Sequence, residues 1–119
     1  MMFFATNNKS KFNNKKCFFM GDSFDSIGEK ERYIVLRDMQ KNGLITDLKR
    51  QVKFKLMEKT HYIADFTYYE NGAYVIEDFK GFKTQVYKIK RKIMIQNIMK
   101  SGNIFRESTK KGVSDHVVK

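Results

Sequence analysis

The chain has 119 residues, enough for one domain with a modest core and too few for two. Its 24 Lys and Arg against 13 acidic residues give a net charge of +11, which points to a polyanionic partner, nucleic acid first and an anionic membrane surface second. No apolar run approaches the ~20 residues of a spanning helix, Met1-Met2-Phe3-Phe4-Ala5 is too short for a signal-peptide core, and the lone Cys17 excludes an internal disulfide framework, so no membrane partner and a reducing, cytoplasmic setting are expected.

Residues 1–21 carry Lys9, Lys11, Lys15 and Lys16 among Asn and Ser with no acid before Asp22, and read as a flexible basic arm. Ser26 is then placed to cap a helix, with Glu29 three residues on, apolar Tyr33, Ile34, Val35, Leu36 and Met39 following, and Asn42-Gly43 closing it. This predicts a helix over about 27–41. Ile45 to Leu48 is a short apolar stretch, and Val52, Phe54 and Leu56 alternate with Lys53 and Lys55 as in a half-buried strand, either separate or one bent strand.

His61 to Tyr69 and Tyr74 to Lys80 read as two strands joined at Asn71-Gly72, a two-residue hairpin turn. In that register Asp65 faces Asp78 across the ladder, with Cβ atoms roughly 5 Å apart, and alternation puts Lys80 on the face of Asp78. Like charges directly opposite one another destabilise a sheet, so the pair makes most sense with a cation between them. The spacing fits a solvated ion-pair cluster equally well. A turn one residue longer or shorter would set Glu77 against Asp65 instead.

Beyond Gly81 a second helix is expected over about 85–100, burying Val86, Ile89, Ile93 and Met94 or Asn97, with Lys88, Lys90, Arg91 and Lys92 crowding its first half. Ser101-Gly102 ends it, 103–106 gives a short last strand, and 107–119 reads as a polar, basic tail. The order helix, three strands, helix, strand describes an α/β domain over 22–106, a central sheet flanked by helices.

These residues carry a resemblance. Tyr62-Ile63-Ala64-Asp65-Phe66 and Ile76-Glu77-Asp78-Phe79-Lys80-Gly81 resemble the PD-(D/E)xK signature of the restriction-endonuclease-like superfamily. Ser26-Ile27-Gly28-Glu29 is similar to the S-x-x-E on the first helix of phage junction-resolving endonucleases and transposase endonuclease subunits. Lys11 to Lys16, Gln51 to Leu56 and Gly81-Phe82-Lys83-Thr84 extend the likeness to a small phage family over roughly residues 9–95. Ala64 stands where the family has proline, and Asp78 where many relatives of the wider superfamily have Glu.

The resemblance implies a mixed central sheet and a catalytic set of Glu29, Asp65, Asp78 and Lys80. Asp65, Asp78, the Phe79 carbonyl and Glu29 would hold Mg²⁺, with Mn²⁺ substituting, and Lys80 would orient or help deprotonate the attacking water. Without the resemblance, Glu29 reads as the partner of Ser26 in a capping box. Glu77 should point away from Asp65 and play no catalytic part. His61 and His116 lack companions at ligand spacing.

Lys83, Thr84, Lys88, Lys90, Arg91 and Lys92, with Lys15 and Lys16 of the arm, form the expected nucleic-acid track. A chain of this size has little room for base readout, so the expected activity is an endonuclease selecting branched or distorted DNA, as in phage recombination, replication or packaging. A non-catalytic nucleic-acid-binding accessory protein is the alternative. Two cuts and a single site per chain suggest a symmetric homodimer, with the first helix and Ile95, Ile98 and Met99 as contact surfaces.

Overall fold

The computed structural model describes residues 16–119. Lys15 and most of the expected basic arm lie outside the described residues, and the arm's end is structured: β1 (Cys17–Phe19) and β2 (Asp22–Phe24) form a small antiparallel hairpin. There follow α1 (Ile27–Lys41), β3 (Thr46–Met57), β4 (Thr60–Glu70), β5 (Ala73–Phe79) and α2 (Gln85–Ile93), which runs on into a π-helical turn at Met94–Ile98. β6 (Ile104–Thr109) and β7 (Gly112–Val117) complete the chain.

The fold is mixed α/β, with β3-β4-β5-β6-β7 side by side in one sheet, all antiparallel neighbours except the parallel pair β5–β6. Helix α1 packs on one face, where Leu36 joins Ile45, Phe66, Tyr68 and Val75. Helix α2 and its π turn cover the other, where Tyr87 and Met94 join Tyr62, Ala64, Ile76 and Phe105. Ser26 caps α1 by accepting from the Glu29 N–H at 3.1 Å, and the helix ends at Lys41 with Asn42 as its cap.

The β4–β5 hairpin has the register read from the sequence, from Glu70↔Ala73 to Phe66↔Glu77. Asn71 (φ 53°) and Gly72 (φ 82°) both occupy the left-handed region, as a type I′ turn requires, and this turn matches the strand twist. Because Glu77 pairs with Phe66, the register that would set Glu77 against Asp65 is excluded.

Three expectations are corrected. The segment from 107 onward is not a tail: β6 continues to Thr109, and β7 turns back onto it as the far edge strand. Its side chains are exposed and polar in character, so it lacks the buried stripe that marks a strand in sequence. Helix α2 is rotated from the expected setting: Met94 is buried as expected, but Tyr87 is buried in place of Val86 and Ile89, which are 62% and 58% exposed. The α-helix expected to run to about 100 ends at Ile93 and gives way to the π turn, and Ile95, Ile98 and Met99 are half-buried against the α2-side core.

Strand β4 changes face at Asp65. Residues two apart share a side of a regular strand, yet Tyr62 and Ala64 join the α2-side core while Phe66 and Tyr68 join the α1-side core. The neighbouring strand bends with it: Val52 pairs with Ala64 and Arg50 with Phe66, and between them Gln51 has φ 53°, a left-handed conformation unfavourable for a residue with a Cβ. Asp65 and Gln51 therefore meet where both strands turn.

Candidate functional site

Asp65 and Asp78 are interlocked through the main chain. The Asp65 N–H donates to Asp78 Oδ1 at 3.1 Å, and the Phe79 N–H donates to Asp65 Oδ2 at 2.9 Å. Each carboxylate thus completes the ladder where β4 turns away from β5, with its backbone donors satisfied by side chains. Asp78 is fully buried, and its Oδ2 has no hydrogen-bond partner.

Glu29 arrives from the first turn of α1 and is also buried. Gln51 Nε2 donates to its Oε2 at 3.3 Å, and Arg50 Nη2 lies 3.7 Å from the same oxygen. Arg50 is itself held by stacking 3.8 Å from the Phe24 ring centroid and by donating to the Ser23 carbonyl at 2.9 Å. The close approach of α1 depends on Gly28, since a Cβ there would collide with the Phe79 ring. Sequence reasoning gave Gly28 no role, because its partner lies far along the chain.

Lys80 follows directly after β5. Its N–H donates to the Ser108 carbonyl at 3.0 Å, and its ammonium stands 4.9 Å from the centroid of the Tyr87 ring. Burial pushes both Asp78 and Glu29 up to about 7, against the Lys80 charge in each case, with Asp65 adding to the rise at Glu29. Asp65 is raised by burial too, opposed by the Phe79 N–H and by Lys80. Glu29, Asp65, Asp78 and Lys80 thus act on one another electrostatically, though they come from α1, β4 and the end of β5.

Among the described residues, no three His, Cys, Asp or Glu side chains converge tightly enough to make a ready metal shell. The donors nonetheless suit a hard divalent cation. Two adjacent carboxylates, one with an orphaned buried oxygen, are held in a desolvated setting that penalises their charge, and an oxygen-seeking cation would relieve that penalty.

Glu77 takes no part in this cluster. It is fully buried on the α1 side, where Arg32 grips both oxygens and the hydroxyls of Tyr68 and Ser108 donate to it. Glu107, which the sequence reading passed over as part of the tail, pairs with Asp78 in the parallel ladder. Tyr87 donates its hydroxyl to Glu107 at 2.6 Å, Lys83 lies 3.2 Å away and Arg91 3.4 Å away. Burial raises Glu107, but these three partners outweigh it and hold the carboxyl below its ordinary value. Phe105 to Ser108 are all buried, three of them polar, so no apolar alternation after Ile104 marks this strand in the sequence.

The expected basic track is accordingly divided. Lys83 and Arg91 are engaged by Glu107, and Thr84 caps α2 by accepting from the Tyr87 N–H. Lys88 and Lys92 are exposed, Lys90 is half-buried, and Lys16 lies 4.0 Å from Asp25 across the β1–β2 hairpin.

No helix among the described residues is long and apolar enough to cross a membrane. No curated protein and no solved structure matches the chain. A family described as "Protein of unknown function (DUF1064)" matches residues 9–111. That span takes in the hairpin, both helices and Glu107, and the chain belongs to the DUF1064 family.

Proposed function

We propose that this protein is a metal-dependent endonuclease of restriction-endonuclease-like fold that hydrolyses DNA phosphodiester bonds, with a preference for branched or distorted DNA. The observation that carries this reading is the interlocked Asp65–Asp78 pair, with Lys80 two residues on and Glu29 brought in from α1. The main-chain hydrogen bonds to Asp65 and Asp78 offset part of the cost of gathering them with buried Glu29, and a bound cation would offset more.

Asp65 and Asp78 would hold Mg²⁺ or Mn²⁺, helped by the Phe79 carbonyl and by Glu29. When bound, such an ion lowers the pKa of a water and offsets charge on the phosphoryl oxygens. Lys80, resting over Tyr87, orients the attacking water and adds positive charge as its oxygen bonds to phosphorus and the bond to the leaving oxygen breaks. Arg50 and Gln51 fix the Glu29 carboxylate. Lys88 and Lys92 supply backbone attraction without reading sequence.

A non-catalytic DNA-binding role is the second reading, favoured by the want of a ready three-carboxylate shell among the described residues. Purified protein incubated with linear duplex, single strand, RNA, flap and four-way-junction substrates in Mg²⁺, Mn²⁺ or EDTA separates the two. Metal-dependent cleavage of DNA, strongest on branched forms, is expected. Binding without cleavage in either metal favours the second reading.

A further inference from the structure

Phe82 stands in the short segment between Lys80 and the Thr84 cap of α2, and at 80% exposure it is the most solvent-exposed large apolar side chain among the described residues. It is not an isolated ring. Val86 and Ile89, three apart on α2, follow it in the chain as a second exposed apolar pair just past the Thr84 cap. Among the described residues nothing covers these side chains, because α2 turns Tyr87 and Met94 toward the sheet instead.

The surroundings define the occupant. Between Asp78 and Glu107 there is no acidic residue, and Lys88 and Lys92 are exposed on the same helix as Val86 and Ile89. An aromatic ring and an aliphatic strip bordered by cations fit a partner that offers flat apolar surfaces and negative charge together. Nucleic acid offers both when its bases are unstacked; in a continuous duplex the base faces are hidden and phosphate alone is presented. An anionic membrane would also meet cations and apolar side chains, but the α-helical span is nine residues long and Phe82 follows Lys80 by two residues in the chain.

We infer that Phe82 stacks on an unpaired base next to the phosphate held at the carboxylate cluster, with Val86 and Ile89 extending the platform along the displaced strand. The substrate class is then DNA with an unpaired or flipped-out base beside the scissile bond, such as a flap, bulge or open junction. This rests on the proposed function for the word scissile; the stacking itself does not require cleavage.

The test uses binding, so that it is independent of hydrolysis. Full-length protein in Ca²⁺ is titrated onto two oligonucleotide duplexes carrying 2-aminopurine, one with the probe in a flap base at the branch and one with it fully paired. Wild type is expected to bind the flap more tightly and to change its probe fluorescence. Phe82→Ala should lose about tenfold in flap affinity and the fluorescence change, with paired-duplex affinity unaltered, and Phe82→Trp should restore both. At 80% exposure the Phe82 change leaves the fold intact, which an unchanged Tm verifies. Equal flap preference in wild type and Phe82→Ala would overturn the inference, as would binding to phosphatidylglycerol vesicles that depends on Phe82 when flap binding does not. If wild type cleaves nothing yet shows the Phe82-dependent flap preference, the stacking stands and the nuclease reading falls.

Discussion

Arg32 holds Glu77 through both carboxylate oxygens, Nε to Oε2 at 2.6 Å and Nη2 to Oε1 at 3.0 Å. The pair joins α1 to β5 from behind, one helical turn after Glu29 and one residue before Asp78, so it sets how α1 lies against the carboxylate cluster. Glu77→Ala would leave a guanidinium buried against Tyr68 and Ser108 without its counter-charge. A loss of ~3 kcal/mol is expected in urea unfolding. Glu77→Gln, which keeps one acceptor, should cost less and leave residual cleavage per folded molecule close to wild type. Cleavage abolished in well-folded Glu77→Gln would give Glu77 the chemical role assigned here to Asp78.

Asp78→Asn and Lys80→Ala should each lower cleavage of the best substrate by about 100-fold or more while leaving DNA affinity nearly unchanged. Gly28→Ala offers a less direct check. The added methyl must displace the Phe79 ring or the start of α1, and either shift moves Glu29 relative to Asp65. Its turnover should fall further than its stability, measured as kcat against Tm. Near-normal turnover would show that the position of Glu29 does not matter.

The elements that could be read from sequence are those governed by neighbours in the chain. Ser26 with Glu29 marks the start of α1, and Asn71-Gly72 fixes a turn whose register then places Asp65 beside Asp78. What escaped depends on distant contacts. The rotation of α2 is chosen by the Tyr87–Glu107 bond and by Met94 in the core, against an apolar set at Val86 and Ile89 that reads equally well as a buried face. Gly28 owes its importance to Phe79, and no local pattern announces it; Gln51 matches a position of the resembled family near the site, but a polar strand end explains it equally well until the turn in β4 is seen. β7 is exposed throughout, so its backbone pairing with β6 leaves no mark on its composition.

Burial raises Asp78 and Glu29 to about 7 in the folded chain, which fixes the sign of a pH effect. An acid with a raised folded pKa binds its proton more tightly when folded. The stability it contributes is full below the ordinary carboxyl range and is lost as pH rises through about 7. In EDTA, Tm should therefore fall by about 5 °C between about pH 4.5 and 7 and level off above that, and Asp78→Asn should flatten the fall. Glu107 and Asp115 are shifted the opposite way, so their contribution is lost only at lower pH and does not mask this window. Millimolar Mg²⁺ should raise Tm more at the upper pH than at the lower, because binding requires the ionised carboxylates. Equal Mg²⁺ effects at both would argue against Asp65 and Asp78 as its ligands.

The division of the basic track gives the last prediction. Lys88 and Lys92 are exposed, whereas Lys83 and Arg91 are occupied by Glu107. Lys88→Ala with Lys92→Ala should weaken binding to all DNA sequences alike, reduce the slope of log K against log salt by about one per lost phosphate contact, and leave Tm unchanged. Arg91→Ala should instead lower Tm, since it strips a partner from a mostly buried carboxylate, with a smaller effect on the salt slope. Glu107→Gln is the converse: it releases both cations toward solvent and should raise affinity and steepen the slope while loosening Tyr87. If Arg91→Ala reduces the salt slope as much as the Lys88 and Lys92 pair does with no change in Tm, then Arg91 leaves Glu107 for phosphate when DNA binds, and the ion pair is a resting arrangement of the free protein.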